Sequence, residues 1–319
     1  MSMTKEVLRY TDEEYLSPPR GGHTGCPGCG AVLALRYFLK GLKNRAVFVS
    51  PPGCTAVFTR RPKPCITYYD EPVVTLSSPF GLSSVYAAGI KSALVMRGDE
   101  ETEVVALVGD GGTFDIGLRE LSGAAERNDD IIYFCYDNEG YQNTGNQRSS
   151  ATPRGSTTST NPIPFPKAEP KKDIMAIMMA HNIPYAATAT VGYPDDFMKK
   201  VEKAKSIKGF RFFHVLTPCP TGWRFPASLT IKLSKLAVAT KAFPLFEVER
   251  GYALKINKKP KDVPIEEYVN IQGRYRNLIP DKIGELQREV DEKWTRLKWL
   301  SSYKANGKCE RKVERSLDV

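Results

Sequence analysis

Two polar, glycine-bearing clusters, each closing an apolar run, constrain this chain more than any other feature. "EVVALVGD" (103–110) is short, rich in β-branched residues and ended by Gly-Asp, the pattern of a buried strand. "GLRELSGAAERN" (117–128) follows, with Leu118, Leu121 and Ala125 on one helical face. "DIIYFCYDNEG" (130–140) is a second buried strand, again closed by polar residues and glycine. Strand, helix and strand in so short a span form a parallel crossover unit, so the fold class is α/β. Ligands of such sheets sit beyond the carboxyl ends of the strands, where both clusters fall.

The clusters carry ligand chemistry. Asp110 closes the first strand and Asn138 the second, 28 residues on. Gly109, Gly111 and Gly112 let backbone amides come close to a phosphate. A carboxylate and an amide oxygen are hard ligands suited to Mg²⁺ already held by a diphosphate, and Gly140 can place a backbone carbonyl as a third. The G-x-G-x-x-G spacing of a dinucleotide fold and the lysine of a P-loop are absent. Either cluster alone would be an ordinary turn. Paired at this spacing, they resemble the thiamine-diphosphate signature, GDG followed at a distance by Asn.

Elsewhere "RAVFVSPPGC" (45–54) reads as a strand feeding a cysteine-bearing turn, and "SSVYAAGIKSALVMRG" (83–98) as a helix of small residues. Residues 152–172 are rich in Pro, Ser and Thr and read as a long loop, either functional or disordered. Helix returns at 172–182, and strands are expected at 187–191 and 210–219. Past about residue 240 charge rises. In "DKIGELQREVDEKWTRLKWL" (281–300), Ile283, Leu286, Val290, Trp294 and Leu297 form a stripe suited to core or subunit packing. The expected division is an α/β domain over 1–240 and a C-terminal helical extension over 241–319. No apolar run approaches the roughly 20 residues that cross a bilayer, and the first residues, MSMTKEVLRYTDEEY, have no signal-peptide core. The expectation is a cytoplasmic protein without a membrane partner. The net charge of +10 is scattered rather than gathered into a stripe, which argues against nucleic acid.

Seven cysteines are odd in number and too sparse for a disulfide scaffold. Cys26 and Cys29 form a C-x-x-C pair in the glycine-rich "GGHTGCPGCG", just before a helix-like run. The pair suits a Cys₄ zinc site or an iron–sulfur cluster. A thiol oxidoreductase is disfavoured, since no compact thioredoxin pattern surrounds it. Cys135 reads as a core residue and Cys309 as exposed, while Cys65 competes for a cluster position. His23 lies beside the C-x-x-C loop, suited to loop hydrogen bonding or a role at the site. His181 reads as a helix-end residue and His214 as structural. No Ser/His/Asp arrangement emerges.

The segment 109–153 closely resembles the β subunit of the 2-oxoacid:ferredoxin oxidoreductases, the pyruvate synthase family. So do "CPGCG" (26–30), "GC" (53–54), "LTPCPTGWRF" (216–225) and "EEYVNIQGRYRNL" (266–278). The resemblance covers roughly residues 20 to 295. It implies the parallel-sheet, diphosphate-binding half of a thiamine-diphosphate fold, with Mg²⁺ on Asp110, Asn138 and the Gly140 carbonyl. It places Asn143 at the reacting end of the cofactor, in contact with substrate, and Thr144 by the diphosphate. It assigns a 4Fe–4S cluster to Cys26, Cys29, Cys54 and Cys219.

The implied reaction is oxidative decarboxylation of a small 2-oxoacid, with coenzyme A taking the acyl group and ferredoxin the electrons. The implied partners are an α subunit carrying the pyrimidine-binding half and γ and δ ferredoxin-like subunits. The expected substrate order is pyruvate, then oxalate, then a larger 2-oxoacid. Oxalate enters because the stretch after Cys54 departs from the pyruvate-type pattern and carries Arg60, Arg61 and Lys63, suited to a smaller, more anionic acid. Surface charge is the plainer account of those three. The alternative from another class is a non-catalytic, zinc-stapled nucleotide-binding scaffold, in which Asp110 and Asn138 are turn residues.

Overall fold

The computed structural model describes residues 23–43, 45–59 and 73–302. Cys65, Cys309, Arg60, Arg61 and Lys63 lie outside them. Eight strands form one sheet: β1 (Ala46–Ser50), β2 (Val73–Ser77), β3 (Glu103–Gly109), β4 (Ile132–Asp137), β5 (Tyr185–Thr190), β6 (Arg211–Leu216), β7 (Phe246–Glu249) and β8 (Ala253–Ile256). Their order across the sheet is β2-β1-β3-β4-β6-β5-β7-β8. The first six are parallel, and β7 and β8 are antiparallel additions at one edge.

Helices cover both faces, which is why the central strands carry apolar residues on both of their sides. Along β3, Val105 and Leu107 face one layer while Val104, Ala106 and Val108 face the other. The first layer holds α1 (Gly30–Leu42) and α6 (Pro194–Lys205). Phe38 of α1 anchors it, in edge contact with Phe48, Phe134 and Phe213 at centroid distances of 6.3, 4.8 and 5.9 Å. The second layer holds α3 (Ser83–Met96), α4 (Leu118–Glu126) and α5 (Ile174–Ala180). The long helix α10 (Pro280–Ser302) closes it, with Leu297 buried. A third cluster joins Leu286 of α10 to Trp223, Phe225 and Phe243, and Ile283 and Val290 pack against it. The stripe read from the sequence therefore faces the protein's own interior.

The expected division at residue 240 falls just before β7, and β7 and β8 continue the same sheet. Short helices α2 (Cys54–Thr59), α7 (Pro220–Trp223), α8 (Thr230–Ala239) and α9 (Ile265–Val269) complete the set. Among the described residues no helix is long and apolar enough to cross a membrane.

The strand order positions the site. β1, β3, β4 and β6 are consecutive neighbours, and being parallel they end at the same edge. Cys54 follows β1, Asp110 follows β3, Asn138 follows β4 and Cys219 follows β6. Residues up to 165 positions apart in sequence, from Cys54 to Cys219, thus share one rim.

Candidate active site

All eight residues expected at the cofactor, Gly109, Asp110, Gly111, Gly112, Asn138, Gly140, Asn143 and Thr144, line one cavity of about 210 Å³. Asp110, Asn138 and Gly140 lie buried at its base, while Asn143 and Thr144 are exposed at its mouth. Asp110 Oδ2 accepts a hydrogen bond from Ser149 Oγ at 2.5 Å, and Oδ1 accepts one from the Asn138 backbone N–H at 3.2 Å. Burial pushes the Asp110 carboxyl well up from its ordinary range, and the nearby Asp137 carboxylate adds to this. A dication against this face would reverse that shift and hold the carboxylate ionised.

The orientation of the Asn138 amide tests whether such an ion fits. Its side-chain oxygen faces Asp110 Oδ1 and the Gly140 carbonyl oxygen at 2.9 Å each, three acceptors with no proton between them. Turning the amide by 180° would put its nitrogen there and make two hydrogen bonds. As placed, the Asn138 oxygen stands from each of the other two at the spacing of neighbouring ligands in an octahedron whose bonds are about 2.0–2.1 Å long, for which adjacent oxygens are about 2.9 Å apart. The amide nitrogen then points the other way and donates to Cys54 Sγ at 3.8 Å. The residues present fit Mg²⁺.

The turn that aims these oxygens is strained and then locked. Glu139, between Asn138 and Gly140, adopts a left-handed φ of 62°. Its carboxylate pairs with Lys171 at 2.8 Å and with Arg274 at 2.5 Å. The Arg274 guanidinium lies 4.0 Å from the Trp223 ring centroid, and Trp223 Nε1–H donates to the Asn138 carbonyl at 2.8 Å. Asp137 beneath is met by Lys171 at 2.5 Å and His214 at 2.6 Å. Burial pushes Asp137 up, but these two partners outweigh it and bring it down to about 2. His214 is thus a buried structural partner. His181 ends α5 and meets Ser122 Oγ at 3.1 Å, and His23 Nδ1 accepts from the Gly25 N–H at 3.2 Å. Sequence reasoning missed Ser149, Glu139, Lys171, Trp223 and Arg274 as parts of this site.

Cys26, Cys29, Cys54 and Cys219 line a second cavity of about 400 Å³, which shares Cys54, Asn138, Gln142 and Asn143 with the first. Cys135 is apart from them, fully buried in the sheet. The C-x-x-C loop is pressed against the strand-end turn that carries Cys219. Gly30 N–H donates to the Pro218 carbonyl at 3.1 Å, and a Cβ on Gly30 would lie 2.8 Å from Pro218 backbone atoms. Burial raises the thiols of Cys29, of Cys54 to about 12 and of Cys219 to about 11, and neighbouring cysteines add to each. A reactive thiolate pair needs the opposite shift. Among the described residues no three His, Cys, Asp or Glu side chains gather closely enough to hold a single metal ion. Four thiols around one cavity are the ligand type of a 4Fe–4S cluster and of a Cys₄ zinc site.

Residues 53–215 match the thiamine pyrophosphate enzyme, C-terminal TPP binding domain. The pyruvate synthase subunit PorB of Methanothermobacter marburgensis is 45% identical over 287 residues, covering 89% of this chain and 97% of that protein. This chain belongs to the β-subunit family of the 2-oxoacid:ferredoxin oxidoreductases. Another member, the ketoisovalerate oxidoreductase subunit VorB of Pyrococcus abyssi, is 43% identical and covers 94% of this chain and 99% of its own. Among solved structures, a 2-oxoglutarate:ferredoxin oxidoreductase from Magnetococcus marinus superposes with a TM-score of 0.54. At 21% identity, covering 70% of this chain and 80% of that one, it shares the fold. As a member of this family the protein is a subunit of an enzyme and carries a thiamine-diphosphate-binding domain.

Proposed function

We propose that this β subunit holds Mg²⁺–thiamine diphosphate and a 4Fe–4S cluster side by side, and serves the oxidative decarboxylation of a small 2-oxoacid by a cytoplasmic complex. The observation that carries this is the pair of adjoining cavities, which have Cys54 and Asn138 in common. Asp110, Asn138 and the Gly140 carbonyl would hold the metal. Gly109, Gly111, Gly112 and Thr144 would surround the diphosphate. Cys26, Cys29, Cys54 and Cys219 would ligate the cluster.

When bound, thiamine diphosphate supplies the carbon nucleophile and electron sink for decarboxylation, and the cluster supplies a one-electron acceptor beside it. The chain's own residues do the positioning. Ser149 and the Asn138 backbone N–H orient the Asp110 carboxylate. Glu139, Arg274 and Trp223 fix the turn that presents two metal-facing oxygens. Asn143, at the mouth, is placed to hydrogen-bond the substrate at the reacting end. Asn143 and Thr144 are exposed at that mouth, where a second chain would complete the site. We assign that role to an α subunit carrying the pyrimidine-binding half, with γ and δ ferredoxin-like subunits and ferredoxin taking the electrons onward.

Pyruvate, with coenzyme A as acyl acceptor, is the first choice of substrate, supported by the similarity to PorB. A branched 2-oxoacid is the second, supported by the comparable similarity to VorB. Oxalate rests on the cationic stretch outside the described residues and stays on the panel. The test is reduction of a viologen dye by the anaerobically purified complex, with pyruvate, 3-methyl-2-oxobutanoate, 2-oxoglutarate and oxalate, each with and without coenzyme A. Coenzyme A-dependent reduction fastest with pyruvate is expected. Activity with none of the four refutes the assignment, and fastest turnover of oxalate without coenzyme A replaces it.

A further inference from the structure

The cysteine cavity contains one polar group that nothing described so far uses. Thr217 sits at the end of β6, two residues before Cys219, and lines the cavity. It is 1% exposed, and its hydroxyl has no hydrogen-bond partner. Its backbone N–H is already engaged with the Asp137 carbonyl at 2.8 Å. Among the described residues with an unpartnered buried side-chain polar atom, Thr217 is the one that lines this cavity. A buried hydroxyl without a partner is costly, and native interiors rarely tolerate it unless a ligand supplies the partner.

The cysteines have some donors of their own, and neighbouring prolines limit the rest. Sulfur atoms of a cluster usually draw hydrogen bonds from nearby backbone N–H groups, and these bonds help set its reduction potential. Here prolines stand beside the cysteines: Pro27 follows Cys26, and Pro218 and Pro220 flank Cys219. None has an N–H to give. Donors that reach the cysteine sulfurs include the Gly222 N–H, 3.3 Å from Cys219 Sγ, the Asn138 amide, 3.8 Å from Cys54 Sγ, the Thr221 N–H at Cys219, and the Ala31 and Val32 N–H groups at Cys29.

We propose that the Thr217 hydroxyl donates to a sulfur of the cluster and thereby raises its electron affinity. This rests on the cluster assignment above. The O–H proton stays on Thr217 throughout. Reduction adds one electron to the cluster, and the hydrogen bond is stronger to the more negative, reduced state, so removing it lowers the potential.

The test uses the assembled complex purified without oxygen, titrated with dithionite and followed by electron paramagnetic resonance. The signal that disappears in a Cys54→Ser complex identifies the cluster of this chain. In Thr217→Val, which keeps the shape and removes the donor, its electron affinity should fall three- to tenfold. Tenfold corresponds to about 59 mV for one electron. Thr217→Ser, which keeps the hydroxyl, should retain the wild-type potential, and Thr217→Ala should repeat the valine shift if the valine complex does not assemble. An unchanged potential in the valine or alanine complex, or an equal shift in the serine complex, overturns the proposal and leaves the cluster assignment standing. If no signal is lost in Cys54→Ser, both fall together.

Discussion

Replacing Gly111 by alanine tests the cofactor cavity through a single methyl group. Gly111 has φ −61° and ψ −39°, a conformation alanine adopts freely, so only space is at issue. The added Cβ would sit 2.4 Å from Tyr141 Cε1 and 2.6 Å from Cζ. The ring must retreat by about 1 Å to restore ordinary contact, an overpacking that typically costs about 1–3 kcal/mol. The same movement disturbs the Tyr141 hydroxyl, which donates to the Asp115 carboxylate at 3.0 Å and the Gly111 carbonyl at 3.2 Å. It also pulls on Gly140, the preceding residue, whose carbonyl faces the Asn138 side-chain amide. A loss of about 1.4–2.8 kcal/mol in cofactor binding raises Kd about 10- to 100-fold. The assay is the thiamine diphosphate concentration needed to reactivate complex stripped of metal and cofactor, at saturating Mg²⁺. Iron content and visible absorption should match wild type, because Gly111 does not line the cysteine cavity. A Kd within twofold of wild type would refute the placement of the diphosphate over these glycines.

Other expectations follow from the same contacts. Ser149→Ala removes the hydroxyl that holds Asp110 Oδ2 and should raise the Mg²⁺ concentration for half-maximal activity about tenfold or more, read at saturating thiamine diphosphate. Arg274→Leu leaves Glu139 with Lys171 as its remaining ion-pair partner; it should cost about 3 kcal/mol, seen as a lower thermal midpoint of the complex, with Arg274→Lys intermediate. Glu247 offers a pH test. Burial pushes its carboxyl up, but Lys203, Lys255 and Tyr185 outweigh this and bring it to about 2 from an ordinary 4.5. Its contribution is therefore complete above pH 4.5 and lost as pH falls toward 2. The urea midpoint should drop less between pH 6 and pH 3 in Glu247→Gln than in wild type.

The parts of this protein legible in its sequence are those whose signal is local. The strands at 103–109 and 132–137 announced themselves as apolar runs closed by glycine and polar residues, and Asp110 and Asn138 were legible as their terminal residues. Helices such as Pro194–Lys205 and Thr230–Ala239 went unread, as did strands β2, β7 and β8. In β7, Glu247 and Glu249 alternate with apolar residues, and their charge resembles surface until Lys203 is seen pairing with both. The support of the metal-facing turn was not legible either, since Arg274 reaches Glu139 across 135 residues and Ser149 reaches Asp110 across 39. Neither pairing leaves a periodic trace. Thr217 shows the same limit, because an orphaned hydroxyl exists only once the surrounding donors and acceptors are placed.

On the proposed function, the four cysteines of this chain hold iron and sulfide beside the cofactor. The most direct measurement is iron, acid-labile sulfide and zinc in anaerobically purified complex, comparing wild type with the Cys26→Ser, Cys29→Ser double variant. The prediction is a loss of about four irons and four sulfides per chain, together with visible absorption that bleaches on reduction. Unchanged iron with the loss of one zinc per chain would contradict it.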